Sequence, residues 1–287
     1  MYIQKYVKKY EGRLAGRRVA ISGSTGGIGR ELCFYLAFLG AELVLVDRNI
    51  ERSHSLAAEL KAKYTALSVS HVQADMSDMA SVRAAADRLC DMKIDYLILN
   101  AGAYSIPRHI CDTGYDNVFQ INFISPYYMA RRLLPEIENR GGKIVAVSSI
   151  AHNYSVIDEG DIDFTTRTRA SLVYGNAKRY LTYSLLSLNS ASVSVAHPGI
   201  SFTGITNHYP RLVFALIKHP MKIIFPHPRV ACLSVLWALF VPTNGNEWIG
   251  PRLFDIWGRP SKKPLCTADS SERGKIAKIA DDIYSRL

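Results

Sequence analysis

The chain has 287 residues, of which 48% are hydrophobic, 10% aromatic and 21% charged. That balance supports a sizeable core and excludes a disordered tail, a collagen-like repeat and a disulfide-stapled miniature. The formal net charge is +10, and its placement says more than its total. No Asp or Glu occurs from Thr165 to Asn246, while Arg167, Arg169, Lys178, Arg179, Arg211, Lys218, Lys222 and Arg229 lie inside that stretch.

Near the start, Lys5, Lys8, Lys9, Arg13, Arg17 and Arg18 face only Glu11. No nucleic-acid recognition motif accompanies these charges, so no nucleic-acid partner is expected. Tyr2, Ile3, Tyr6, Val7 and Tyr10 fall on one helical face, which leaves two readings open: peripheral membrane contact, or a terminal helix packed on the domain. Met1 to Tyr10 is too polar for a secretory h-region. No apolar run reaches the ~20 residues of a membrane-spanning helix. The expectation is a cytoplasmic protein, with membrane association only at its periphery. Cys33, Cys90, Cys111, Cys232 and Cys266 are scattered without metal-ligand spacing; we read reduced thiols and no metal site.

In chain order, strands are predicted at Arg18–Ser22, Glu42–Val46, Leu67–Gln73, Tyr96–Leu99, Lys143–Val147 and Ser192–Ala196. Helical patterns fall between them, near Gly27–Leu39, Ile50–Lys63, Asp78–Cys90, Asp112–Glu138 and Ser171–Leu188. Apolar strands alternating with helices predict an α/β fold, a single doubly wound Rossmann-type parallel sheet with helices on both faces. A basic extension (1–15), one catalytic domain (16–265) and a helical tail (266–287) account for the chain. An apolar stretch over about 200–228 reads as core, as a C-terminal lid over an apolar substrate, or as a membrane or subunit contact.

The first chemical motif ends the first strand: Ser22-Gly23-Ser24-Thr25-Gly26-Gly27-Ile28-Gly29. Glycines there turn the chain sharply and let backbone approach a pyrophosphate at the following helix N-terminus. Asp47 lies eighteen positions after Gly29, close to the spacing of a carboxylate that bonds ribose hydroxyls. Its charge disfavours a 2′-phosphate and points to NAD; the adjacent Arg48 pulls towards NADP. Tyr174 and Lys178 are four apart on a predicted helix, so an ammonium adjoins a phenol that must lose a proton to act as a base. Ser149, at the end of the fifth strand, is placed to hold a substrate oxygen.

Together these residues resemble the short-chain dehydrogenase/reductase superfamily, from roughly Gly16 to Pro264. The resemblance implies the catalytic set Asn122, Ser149, Tyr174 and Lys178. It also implies a cofactor shell of Gly23, Ser24, Thr25, Gly27, Ile28 and Gly29, with Ser22 where the family has threonine. Asp47, Arg48, Asp75 and Met76 would meet the adenosine half, and Asn100-Ala101-Gly102 matches the family's N-A-G motif. Pro198, Gly199 and Thr203 match the segment beside nicotinamide, with Tyr174 and Lys178 also touching the cofactor.

The segment between Ser149 and Tyr174 carries Ala151-His152 and Ile162-Asp163-Phe164, similar to the retinol-dehydrogenase-like branch. That likeness implies a bulky apolar alcohol, ketone or aldehyde as substrate, of steroid, retinoid or lipid type. Tyr104, His152 and Tyr154 would line its pocket. A homo-oligomer using NAD in preference to NADP is expected. A non-catalytic NAD(P)-binding redox sensor or scaffold stays open as the alternative.

Overall fold

Six of the strands form where short aliphatic runs predict them. In the computed structural model, which describes residues 2–199 and 226–287, they are β1 (Arg18–Ser22), β2 (Glu42–Asp47), β3 (Val69–Gln73), β4 (Tyr96–Leu99), β5 (Lys143–Val147) and β6 (Val193–Ala196). Two more, β7 (Glu247–Leu253) and β8 (Trp257–Pro264), go beyond that expectation. Gly250 and Pro251 punctuate β7, which pairs with β6 at Ala196 and Ile249 alone. β8 carries Pro260, Lys262 and Lys263, residues suited to the edge of a sheet.

The eight strands make one sheet in the order β3-β2-β1-β4-β5-β6-β7-β8. All neighbours are parallel except β7 and β8. The order reverses between β1 and β4, and a ligand crevice opens at such a switch point.

Helices cover both faces. On one lie α1 (Tyr2–Lys8), α2 (Gly27–Phe38) and α3 (Ile50–Lys63), followed along the chain by α4 (Met79–Asp91) on the other. A short helix α5 (Asn117–Phe119) runs through a π-helical turn, Gln120–Ile124, into α6 (Ser125–Asn139). It begins later than the predicted Asp112 because the Asp116 carboxylate caps the Val118 N–H. Then come α7 (Ala170–Ser187), α8 (Pro228–Ala231), α9 (Leu233–Ala238) and α10 (Ser270–Arg286).

Leu89, Leu133, Tyr180 and Ile276 pack in the core on one side of the sheet, and Leu36, Leu60 and Leu236 on the other. Each fully buried side chain of this size stabilises the fold by about 1.5–3 kcal/mol. The N-terminal segment joins the second core: Val7, Tyr10 and Leu14 are buried, and Tyr10 stacks on Phe240 with ring centroids 4.6 Å apart. Its apolar face is therefore used inside the molecule, while Lys5, Lys8 and Lys9 stay exposed. Among the described residues no helix is long and apolar enough to cross a membrane. The predicted lid lies almost wholly outside the described residues.

Candidate active site

The glycine turn after β1 is shaped by contacts that no side chain could share. Gly23 has φ +67°, and a Cβ on it would lie 2.9 Å from the Ala101 Cα. A Cβ on Gly29 would lie 2.2 Å from the Gly23 carbonyl oxygen. Only glycine permits this packing of turn, helix and strand. Opposite, the end of β4 is braced on the turn. The Ser22 hydroxyl accepts the Asn100 and Ala101 N–H groups, each at 3.1 Å, and Asn100 Nδ2 donates to the Ser22 and Gly23 carbonyls at 3.1 and 2.9 Å. These bonds need a hydroxyl and not a methyl, which explains why serine serves where threonine is usual.

The turn forms the wall of a cleft of about 530 Å³ that also reaches Asp47, Arg48, Asp75, Met76, Tyr104 and Ile121. The α2 N-terminus opens on Gly26, which has no side chain to cap it, whereas Asn49 and Asp78 cap α3 and α4. Leading N–H groups of α2 are thereby left for an anionic ligand. Asp47 is buried, and its carboxylate accepts from the Ser24 hydroxyl, the Thr25 N–H (3.3 Å) and the Thr25 hydroxyl (3.4 Å). Arg48 is mostly exposed, with its guanidinium 3.8 Å from the Asp75 carboxylate. Cradle, uncapped helix and acid together fit a dinucleotide.

Next to the cleft residues Gly102 and Tyr104, three elements bring four side chains together. The π-helical turn carries Asn122, whose Oδ1 accepts from the Ala103 N–H at 3.2 Å while Nδ2 donates to the Ala103 and Val118 carbonyls at 2.8 and 2.9 Å. Gly102 lets this loop close: a Cβ there would lie 2.8 Å from Asn122 Oδ1 and 3.6 Å from Lys178 Nζ. On α7, Lys178 is buried and donates to the Val147 carbonyl at 2.9 Å. Burial lowers its pKa to about 7.

Tyr174, one turn before Lys178, meets the Tyr104 ring edge-on at 5.3 Å. Burial pushes its phenol up to about 12, opposed by the nearby Ser149 side chain. Ser149 begins a 3-10 turn, Ile150–Tyr154, its hydroxyl accepting from the Ala151 N–H at 3.2 Å. Gly175 permits the approach of α7 to that turn, since a Cβ on it would lie 2.8 Å from the Ala151 carbonyl oxygen. A hydroxyl, a phenol and an ammonium thus converge where proton transfer to a bound oxygen is geometrically possible.

Comparison with known proteins decides the family. Residues 17–159 match the family model described as short chain dehydrogenase. Mouse retinol dehydrogenase 12 is 29% identical over 206 residues, covering 68% of this chain and 65% of that protein. The chain belongs to the short-chain dehydrogenase/reductase superfamily. Its likeness is to the retinol-dehydrogenase-like branch. Mouse polyprenol dehydrogenase is 24% identical over 90% of this chain and 80% of its own length. A crystal structure of an uncharacterized protein from Mycobacterium Paratuberculosis superposes with TM-score 0.71 at 23% identity, covering 95% of this chain and 93% of the other. The matched part of retinol dehydrogenase 12 falls just short of two thirds of that protein.

Within this chain, the residues expected around a substrate separate. Tyr104 lines the cleft. His152 does not: it is fully buried, its Nδ1 is 2.7 Å from the Ser149 carbonyl oxygen, and its ring meets Trp248 edge-on at 4.7 Å. Burial drives its pKa down to about 4, so it is a neutral residue behind Ser149 and not a pocket wall. Tyr154 is 74% exposed on the surface. Gly199 has φ +86° and packs against the Ile256 carbonyl, where a Cβ would come within 3.1 Å; Pro198 precedes it. Thr203 lies outside the described residues.

Sequence reasoning left Phe164 without a role. It is buried with Val118 and Val173, and Tyr174 packs against that cluster. It missed Gly175, whose only signal is its place next to the tyrosine. It also missed the Asp116–Arg108 ion pair at 2.8 Å and the bond from the Asp116 N–H to Asp163 at 2.7 Å. These tie the loop before α5 to the insert that precedes α7.

Proposed function

We propose that the protein interconverts a bulky apolar alcohol and its ketone or aldehyde, with Tyr174 as the acid/base and a nicotinamide dinucleotide in the cleft. The observation that carries this reading is the meeting of Ser149, Tyr174 and Lys178 beside a glycine-walled cleft: Tyr174 meets the cleft residue Tyr104 edge-on at 5.3 Å, and the Lys178 ammonium lies 5.7 Å from the Tyr174 ring. Gly23, Ser24, Thr25, Gly27, Ile28 and Gly29 would hold the diphosphate. Asp47, Arg48, Asp75 and Met76 would hold the adenosine end. Asn100, Ala101, Gly102, Pro198 and Gly199 would hold the nicotinamide end. When bound, that group supplies the acceptor or donor of the hydride.

The chain's own residues do the rest. The Ser149 hydroxyl holds the substrate oxygen, and Tyr174 takes the alcohol proton in oxidation or returns it in reduction. A phenolate at Tyr174 is costly by itself, because burial raises the phenol pKa. The Lys178 ammonium, on the same helix face, stabilises it. Asn122 fixes the loop after β4 and so the walls around both groups.

Apolar substrates are supported by Tyr104, Ile106 and Ile121 along the cleft, and by the relatives named for retinol and polyprenol. NAD is the preferred cofactor on this reading, because the buried negative charge of Asp47 would repel a 2′-phosphate brought near it, with Arg48 as the opposing influence. The test is an absorbance screen at 340 nm with each cofactor against steroid, retinoid and long-chain aliphatic alcohols and ketones. Turnover on a bulky apolar member supports the proposal. Tight cofactor binding without turnover across the panel removes it.

A further inference from the structure

Arg179, the residue after Lys178, uses all five of its N–H donors inside the molecule. Nε and Nη2 grip the Glu272 carboxylate of α10 at 2.6 and 2.7 Å. Nη2 also donates to the Thr267 carbonyl, and Nη1 to the Thr267 hydroxyl at 3.4 Å. The remaining bond, from Nη1 at 2.8 Å, goes to the main-chain carbonyl of His152. His152 in turn holds Ser149, its N–H donating to the Ser149 carbonyl at 3.1 Å and its ring Nδ1 lying 2.7 Å from the same oxygen.

A second contact runs in parallel. The Thr267 hydroxyl donates to Asn153 Oδ1 at 3.1 Å and bonds the Tyr183 hydroxyl at 2.7 Å. The Arg179 side chain is only 4% exposed. An ion pair this buried adds little net stability over apolar packing, and its value lies in fixing one arrangement.

We propose that Arg179 and Glu272 are positioning residues: through the His152 carbonyl they let the C-terminal helix set the place of Ser149 against Tyr174. The proposal rests on the hydride-transfer reading for its catalytic consequence but not for the coupling itself. A hydroxyl displaced by a fraction of an ångström loses much of its effect on a transition state. The glycine cleft has no part in the clamp, so cofactor affinity is insulated from it.

The test compares full-length Glu272→Ala and Glu272→Asp with Asp281→Ala, which breaks a separate anchor of α10, to Arg131 and the Tyr127 hydroxyl. Turnover, cofactor Kd, thermal midpoint and amide hydrogen exchange over residues 150–154 are measured for each. Glu272→Ala is expected to lower kcat roughly 10- to 100-fold with cofactor Kd unchanged, and to speed exchange in that turn. Glu272→Asp should recover part of both. Asp281→Ala should lower the thermal midpoint and leave kcat and that exchange alone.

Equal loss of kcat in Glu272→Ala and Asp281→Ala would overturn the proposal, as would a fall in thermal midpoint for Glu272→Ala with kcat and exchange unchanged. If the wild type turns over nothing in the panel, the exchange data still decide the coupling, and only the functional reading falls.

Discussion

The Lys178 ammonium lies 5.7 Å from the centre of the Tyr174 ring, one turn along the same face of α7. Burial drives the two groups in opposite senses, the phenol up to about 12 and the ammonium down to about 7. Each is held towards its neutral form when alone. Charging them together offsets part of that cost, which is the arrangement a tyrosine base needs.

One consequence concerns stability against pH. The unfolded chain keeps the Lys178 proton up to the ordinary value of 10.5, whereas the folded protein releases it near 7. Between those values the native state binds fewer protons, so this group's contribution to stability rises with pH across that window. Lys178→Met should flatten that rise and be at least as stable as wild type at pH 6, while losing turnover. Denaturant unfolding of both proteins at pH 6 and pH 9 checks it. An identical pH slope in the variant would contradict the assignment.

Cofactor choice turns on Asp47 and Arg48. Asp47→Asn keeps an oxygen for the Ser24 and Thr25 donors but removes the charge. We expect it to shift the ratio of NADH to NADPH affinity towards NADPH by about tenfold, equal to about 1.4 kcal/mol. Arg48→Ala should act oppositely, weakening NADPH more than NADH. Titrations followed by tryptophan quenching measure both. A wild type that prefers NADPH, with Asp47→Asn leaving the ratio unmoved, would make Arg48 the selector.

The glycine turn leaves little latitude. A Cβ on Gly29 would overlap the Gly23 carbonyl oxygen at 2.2 Å and approach Asn100 Nδ2 at 2.8 Å. Gly29→Ala should cost roughly 1–3 kcal/mol or more of stability and abolish cofactor binding. Gly274, which has open space around it, is the control: Gly274→Ala on exposed α10 should be neutral or stabilising. Thermal melts with and without cofactor separate the two.

Much of this was readable before any coordinates. Parallel strands buried on both faces must be aliphatic, so β1, β2, β4 and β5 announce themselves, and Gly23, Gly29 and Asp47 stand at the spacing expected of a dinucleotide-binding turn. β7 and β8 were not readable, because glycine, proline and lysine mask strands at a sheet's edge. The branch likeness puts His152 in the pocket, yet the chain turns it inward on Trp248. Nothing in a linear pattern distinguishes those two directions. Arg179 and Glu272 are 93 positions apart, and only the docking of α10 on α7 reveals the pair.

The most direct measurement is turnover by Tyr174→Phe beside wild type on a bulky apolar alcohol or ketone, with cofactor Kd measured on the same samples. General acid/base catalysis is typically worth 10²–10⁴-fold. The account predicts a loss of kcat within or beyond that range and a cofactor Kd within about twofold of wild type. Retained turnover in Tyr174→Phe would contradict it.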